Sequence, residues 1–338
     1  MADGIWLGSI QYVGESLTKF KAKGLYGYLQ NLTTFSPYWT EPYVFGELLI
    51  PITDTYRKSI SASGDIQTSY HQAIGIGEKG VYFNCDQQKV SQILDLPNEE
   101  FVKAVTTHNK IWDKLKNPCS NYRIPYLHAF NRFYYLKDAN QAYKYYKISA
   151  FNEDAPKAAL NMAGVVQSRL GYHDKALNLW FERFINFSEN LSGSKNIELD
   201  LGQVQKAYKK NIYEVEMIVL NEASKLASWD IKYDFEKLVE NGYIKQILAQ
   251  KIKECAPYWK QHIDLIEEKN ILELAKKFKK VPVSQRFCVI LWRAIREGFV
   301  DPNTGYLYFP FGKEWERRGY YWDEEFGDWF PYLYSSEK

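Results

Sequence analysis

The chain has 338 residues, 43 of them Lys or Arg and 41 Asp or Glu, for a formal net charge of +2. A balance that even excludes general electrostatic attraction to nucleic acid or to an acidic membrane surface. With 46% hydrophobic and 25% charged residues the composition excludes a disordered chain, and the length excludes a single small core.

The N-terminal stretch MADGIWLGSIQYVGESLTKFK has neither the basic start nor the apolar run of a signal peptide. No 18-residue apolar stretch follows it, so no integral membrane segment is expected. The compartment stays open: cytoplasmic, or periplasmic if an export signal has been trimmed away. Aromatic residues reach 17%, with Tyr 27, Phe 19 and Trp 10. Rings in that number either fill grooves between helices or serve as stacking platforms for carbohydrate. Cys85, Cys119, Cys255 and Cys288 are far apart and form no C-x-x-C pair. The expectation is buried free thiols, with no zinc site and no compact disulfide framework.

In chain order, NLTTFSPYWTEPYVFGELLIPI places Pro37, Tyr43 and Phe45-Gly46 as the end of one helical hairpin and the first helix of the next. SYHQAIGIGEKGVYFNC predicts a second helix centred on Ala73. The polar, Ser-rich residues 54–69 between them read as an inserted loop. The Gly-rich GIGEKG at 75–80 lacks the Lys-Ser/Thr ending and the preceding strand of a phosphate loop. Residues 86–121 predict one further helix pair, started by Pro97-Asn98 and stopped by Pro118.

Residues 122–190 carry an internal echo. Ala142 and Ala176 are 34 residues apart, and at that offset Leu136 falls on Leu170, Tyr143 on Leu177, Tyr145 on Leu179 and Tyr146 on Trp180. Helices are predicted over 122–137, 138–153, 156–170 and 172–187. Pro156 suits a first helical turn and Gly171 a left-handed end.

These residues resemble the tetratricopeptide repeat (TPR) family, whose unit is a helix–turn–helix of that length. Leu160, Ala163-Gly164, Gly171, Ala176 and Trp180 carry the likeness in 157–190, although Gln167 stands where the family has an aromatic residue. In 123–156 it rests on Tyr126, Phe130, Phe133, Ala142 and Tyr146, although Phe130 replaces a small residue. The resemblance implies an all-α solenoid of antiparallel helix pairs, with Tyr126, Ala142, Tyr146, Leu160, Gly164, Gly171, Ala176 and Trp180 as repeat positions. It also implies a concave partner-binding face formed by Asn131, Tyr134, Tyr135, Asn161, Ser168 and Arg169. The clamp that holds a terminal carboxylate in some TPR proteins is missing, since Leu127 takes the place of its first lysine.

Downstream, Val204, Tyr208, Ile212, Val215, Val219 and Ala223 predict a long helix. Gly242 ends a short one, in a phrase from Phe235 to Ile247 that resembles segments of some bacterial TPR proteins and of pilin-like proteins. The basic stretch KIKECAPYWKQHIDLIEEKNILELAKKFKK has an apolar stripe at Ile263, Ile266, Ile271, Leu274 and Phe278 and a Lys-rich solvated face. SQRFCVILWRAIREG predicts a helix capped by Ser284 and ended by Gly298. The last forty residues read as strands closing the helices in a short β-hairpin. The domains expected are a repeat array over 1–230, C-terminal helices over 231–298 and an aromatic cap over 299–338.

Chemistry-bearing motifs are scarce. His71, His108, His128, His173 and His262 form no metalloprotease pattern, and no nucleophile elbow occurs. His173 beside Asp174 reads as a helix start. Asp301, Asn303 and Gly305 lack the following glutamate of a calcium loop. Asp323, Glu324, Glu325 and Asp328 read as a solvated turn, being too close together in sequence to face each other across a cleft. The expectation is a non-catalytic scaffold for a protein or peptide partner, serving an envelope assembly such as a pilus or secretion system, without cofactor, metal or nucleic acid. The alternative is a glycan-binding or glycan-processing protein that uses exposed Trp and Tyr.

Overall fold

The computed structural model describes residues 24–58, 66–156, 158–191, 197–228 and 235–303. It also describes short stretches at 4, 6–8, 10–11, 306–307, 320–323 and 328–331. These residues are mainly helical and divide into two compact units, Met1–Val166 and Gln167–Lys338. Among them no helix is long and apolar enough to cross a membrane.

In the first unit α1 (Leu25–Phe35) buries Leu25, Leu29 and Leu32, one stripe at helical spacing, against α2 (Glu41–Lys58) and α3 (Ile66–Asn84). Both α2 and α3 also pack on α7 (Arg123–Tyr134), where Ile124, Ala129 and Phe133 are buried. The ends of the expected inserted loop are helical: α2 runs through Lys58 and α3 begins at Ile66, and 59–65 lie outside the described residues. GIGEKG lies within α3, so its glycines belong to a helix and not to a loop.

Residues 86–121 hold three short helices where one pair was expected: α4 (Gln87–Asp95), α5 (Asn98–Thr107) and α6 (Lys110–Leu115). The chain is restarted locally at each, by Asp86 accepting from the Gln88 and Lys89 amides, by Pro97, and by Asn109 accepting from Ile111 and Trp112. The pair α7 and α8 (Ala139–Ala150) folds back through a turn in which Lys137 is left-handed and Asp138 caps α8. Buried Lys147 of α8 donates to the Leu94 and Leu96 carbonyls and so holds the end of α4; burial lowers its pKa to about 8. The next helix, α9 (Ala158–Arg169), contains the division between the units.

In the second unit α10 (His173–Asn190) lies along α11 (Ile197–Ala227), whose expected stripe Val204, Tyr208, Ile212, Val215, Val219 and Ala223 is buried. After α12 (Phe235–Glu240), Gly242 takes a left-handed φ of 76° and starts α13 (Tyr243–Gln261). Then come α14 (Ile263–Ile266), α15 (Ile271–Phe278) and α16 (Val283–Arg296). The Phe181 and Phe278 rings stack at 4.7 Å, so α10 packs against α15 as well as against its neighbour in sequence. The basic stretch buries Ile266, Leu274 and Phe278 but leaves Ile263 37% exposed. Helix α16 follows Pro282 directly, which puts Ser284 inside the first turn and not at the cap; Gly298, φ 78°, ends it as expected.

Arg293 of α16 donates to the carbonyls of Leu265, Ile266 and Glu268 and to the Tyr208 hydroxyl, and pairs with Glu297. One guanidinium thereby satisfies the carbonyl end of the very short α14. Beyond it β1 (Val300–Asp301) pairs with β2 (Tyr306–Leu307), and β3 (Tyr320–Asp323) pairs antiparallel with β4 (Asp328–Pro331).

All four cysteines are oxidised, as Cys85–Cys119 and Cys255–Cys288. The expectation of free thiols is therefore corrected. Partners 34 and 33 residues apart leave no spacing signature, because it is the packing of helices that brings them together. The backbone joins at the first bridge, where the Asp86 amide donates to Pro118 at 2.7 Å and the Ser120 amide to Asn84 at 2.9 Å.

Candidate functional site

The first unit buries a titratable cluster between α2, α3, α7 and α8. Glu47 and His128 are both fully buried, with Nδ1 3.3 Å from Oε1. That contact lacks hydrogen-bond geometry, and neither carboxyl oxygen of Glu47 accepts a hydrogen bond. Gly77 of α3 makes the contact possible: a Cβ there would sit 2.1 Å from Oε1 and 2.3 Å from Nδ1. Arg132 lies one turn beyond His128 and donates Nε–H to its Nε2 at 3.0 Å, while its other nitrogens pair with Glu78 and, at 3.0 Å, with Asp138. The Tyr145 ring stands edge-on to the imidazole at 4.2 Å.

Burial holds the Glu47 carboxyl well above the usual carboxylate range. Burial, with the Arg132 charge added, holds His128 well below the usual imidazole range. An acid and an imidazole that are both neutral and both sealed from water have no route to a substrate, so the cluster is a polar part of the core. Its members are up to 98 positions apart in the chain, Glu47 to Tyr145, and no local motif marks them.

The second unit brings Ser168, His173 and Glu214 together. Nδ1 of His173 lies 2.8 Å from Oε2 of Glu214, and the Ser168 hydroxyl donates to the same oxygen at 3.0 Å. A nucleophile–base–acid relay needs the nucleophile and the carboxylate on opposite ring nitrogens. Here Ser168 is 3.3 Å from Nδ1, the atom that already faces Glu214, so the arrangement fixes a buried histidine and does not activate the serine. Asp174, the neighbour considered from sequence, is exposed in the first turn of α10. The carboxylate that matters comes from α11, 41 residues from the histidine.

The residues expected on a binding face are placed unevenly. Asn131 is buried, its amide donating to the Glu47 carbonyl at 3.0 Å. This corrects its assignment to an open surface: α2 lies over that side of α7. Ser168 is engaged with Glu214. Tyr135 is half-buried and stacked on Tyr70 at 4.5 Å, and Tyr134 packs on Phe130 at 4.4 Å. Asn161 and Arg169 are half-buried.

At the repeat positions Ala142, Tyr146, Leu160, Gly164, Ala176 and Trp180 are buried, and Tyr126 touches Tyr146 edge-on at 5.5 Å. Gly171 has a φ of 78°. The Tyr146 hydroxyl and the Trp180 ring N–H share a further property, being buried without a hydrogen-bond partner.

Among the described residues of the first unit the most exposed rings lie elsewhere. Tyr38 is 75%, Tyr82 66% and Phe35 61% exposed. The Phe83 ring meets Tyr38 at 6.0 Å and Tyr82 at 5.0 Å, both edge-on, so the α1–α2 turn and the last turn of α3 share one aromatic patch.

Among the described residues no three His, Cys, Asp or Glu side chains are grouped to hold a metal. Asp301 accepts from the Asn303 amide at 2.9 Å, the hydrogen bond of an Asx turn. Of the C-terminal acids, Asp323 and Asp328 are cross-strand partners, while Glu324 and Glu325 lie outside the described residues. Compared with protein-family models, curated proteins and solved structures, the chain matches none.

Proposed function

We propose that the protein is a non-catalytic helical scaffold that binds an extended peptide segment of a protein partner, on a framework of divergent TPR-like hairpins. The observation that carries this reading is the aromatic patch of Tyr38, Phe83 and Tyr82. Large rings left in water as a contiguous patch are costly unless something covers them, and a tyrosine offers both a flat apolar face and a hydroxyl for a peptide backbone. The framework is supported by the shared burial of Ala142 with Ala176 and of Tyr146 with Trp180. Service in an envelope assembly rests on the sequence likeness at Phe235 to Ile247.

The test is a photo-cross-linking residue placed at Tyr82 in native extract, compared with the same probe in a Tyr38→Ala background. Capture of one protein through a short linear segment, lost in the Tyr38→Ala chain, is the expected result. Equal capture in both backgrounds overturns the reading. Quenching of tryptophan emission by oligosaccharides that disappears on Tyr38→Ala would replace it with the glycan-binding alternative, since Trp39 adjoins the patch.

A further inference from the structure

We propose that the chain is a client of a thiol–disulfide oxidoreductase in an oxidising compartment, and that it reaches its native bridges by oxidation in chain order, with no reshuffling. The proposal is independent of the scaffold reading: it concerns how the protein matures and not what it binds.

Every cysteine of the sequence is in a bridge, and each of the four is buried, Cys255 to 1% and Cys119 to 4%. In a reducing cytosol thiols stay reduced, and full pairing of four buried cysteines is the mark of a chain that folds outside it. Four cysteines admit three pairings. The one present joins the first to the second and the third to the fourth, so no cysteine is passed over. Each bridge also lies inside one compact unit. As the chain emerges N-terminus first, Cys85 and Cys119 are both available before Cys255 exists.

The backbone then selects the same pairs. Around the first bridge the Asp86–Pro118 and Ser120–Asn84 hydrogen bonds align the two cysteine-bearing segments, and Asn152 donates to the Cys119 carbonyl at 2.9 Å. Around the second, Trp292, one turn beyond Cys288 on α16, donates to the Cys255 carbonyl on α13 at 3.0 Å.

The chemistry balances through exchange. The thiolate of one cysteine attacks the oxidoreductase disulfide and releases one of its thiols, forming a mixed disulfide. The second cysteine, deprotonated, attacks the chain-side sulfur of that bond and expels the other thiol. Two protons and two electrons pass per bridge, and the oxidoreductase leaves as a dithiol.

The experiment begins with cells making the full chain, lysed in a membrane-permeant alkylating agent and digested without reductant. Mass spectrometry should find the linked peptides 85–119 and 255–288 and no alkylated cysteine; alkylation at all four overturns the assignment to an oxidising compartment. Reduced, denatured chain is then re-oxidised by a disulfide-donating oxidoreductase, with and without a disulfide isomerase. Equal native yield in the two arms is expected. A requirement for the isomerase, or a major product that links Cys85 or Cys119 to Cys255 or Cys288, overturns native pairing without reshuffling.

Discussion

Arg132 sets the tautomer of His128. Because its Nε–H is donated to the imidazole Nε2 at 3.0 Å, the ring proton resides on Nδ1, turned toward the Glu47 carboxyl 3.3 Å away. An imidazolium would need a proton on Nε2 and could not accept from Arg132, so the same bond that orders the ring also keeps it neutral.

The pH dependence of Glu47→Gln follows from this. The folded Glu47 carboxyl is raised from 4.5 by burial, so above that value the unfolded chain releases a proton that the folded chain keeps, and stability falls as pH rises toward the shifted pKa. His128 is lowered from 6.5, so below that value the unfolded chain binds a proton that the folded ring refuses, and stability rises with pH up to it. The two trends oppose each other in the native protein. Removing the carboxyl leaves only the second, and the unfolding free energy of Glu47→Gln relative to wild type should climb as pH rises above about 4.5. A difference independent of pH in urea titrations would mean that Glu47 titrates normally.

Two glycines of α3 separate close packing from helix propensity. Gly77→Ala pushes a methyl against Glu47 and His128 and should cost about 2–3 kcal/mol or more, with the loss of a cooperative transition as the extreme result. Gly75 has nothing within 4 Å of its missing Cβ, and Gly75→Ala should gain about 0.5–1 kcal/mol. Chemical denaturation of both variants checks the pair; similar losses would place the constraint in the helix backbone and not in the cluster.

The first disulfide closes a segment with its cysteines 34 positions apart. The chain-entropy relation then gives about 3–4 kcal/mol for Cys85→Ala/Cys119→Ala. Limited proteolysis of that variant should cut first within 86–118, where α4, α5 and α6 are short and depend on the closure. Cleavage that begins in the second unit instead would show that these helices hold without it.

Arg293→Leu strands the Leu265, Ile266 and Glu268 carbonyls and leaves Glu297 without its cation, and should cost about 3–5 kcal/mol. Tyr208→Phe removes one hydroxyl from the same network and should cost about 1 kcal/mol. Equal effects in thermal unfolding would contradict the role of Arg293 as the main holder of α14.

What the sequence made legible is what local chemistry decides. The stripe from Val204 to Ala223 predicts α11 and its buried face, Gly242 and Gly298 mark helix ends, and Ala142 and Ala176, the two ends of the echo, are both buried. What stayed hidden depends on chain-distant approach. Asn131 reads as a surface polar residue until α2 is laid over it, and Gly77 reads as an ordinary glycine of a helix until Glu47 and His128 are seen to need its missing side chain. The true partner of His173 is on another helix. The three helices of 87–115 read as one pair because Asn109 is a weaker sequence signal than proline, although its side chain caps α6 by accepting from two amides as Asp86 does at α4.

The two bridges also govern how the protein bears mechanical load. Tension applied at the chain termini passes directly from Cys85 to Cys119 and from Cys255 to Cys288, so the intervening helices are bypassed while the sulfur bonds last. Each bypassed loop withholds about 110 Å of contour length from stretching. Reduction would release that slack in two discrete steps, so that extension under force reports the oxidation state of the molecule.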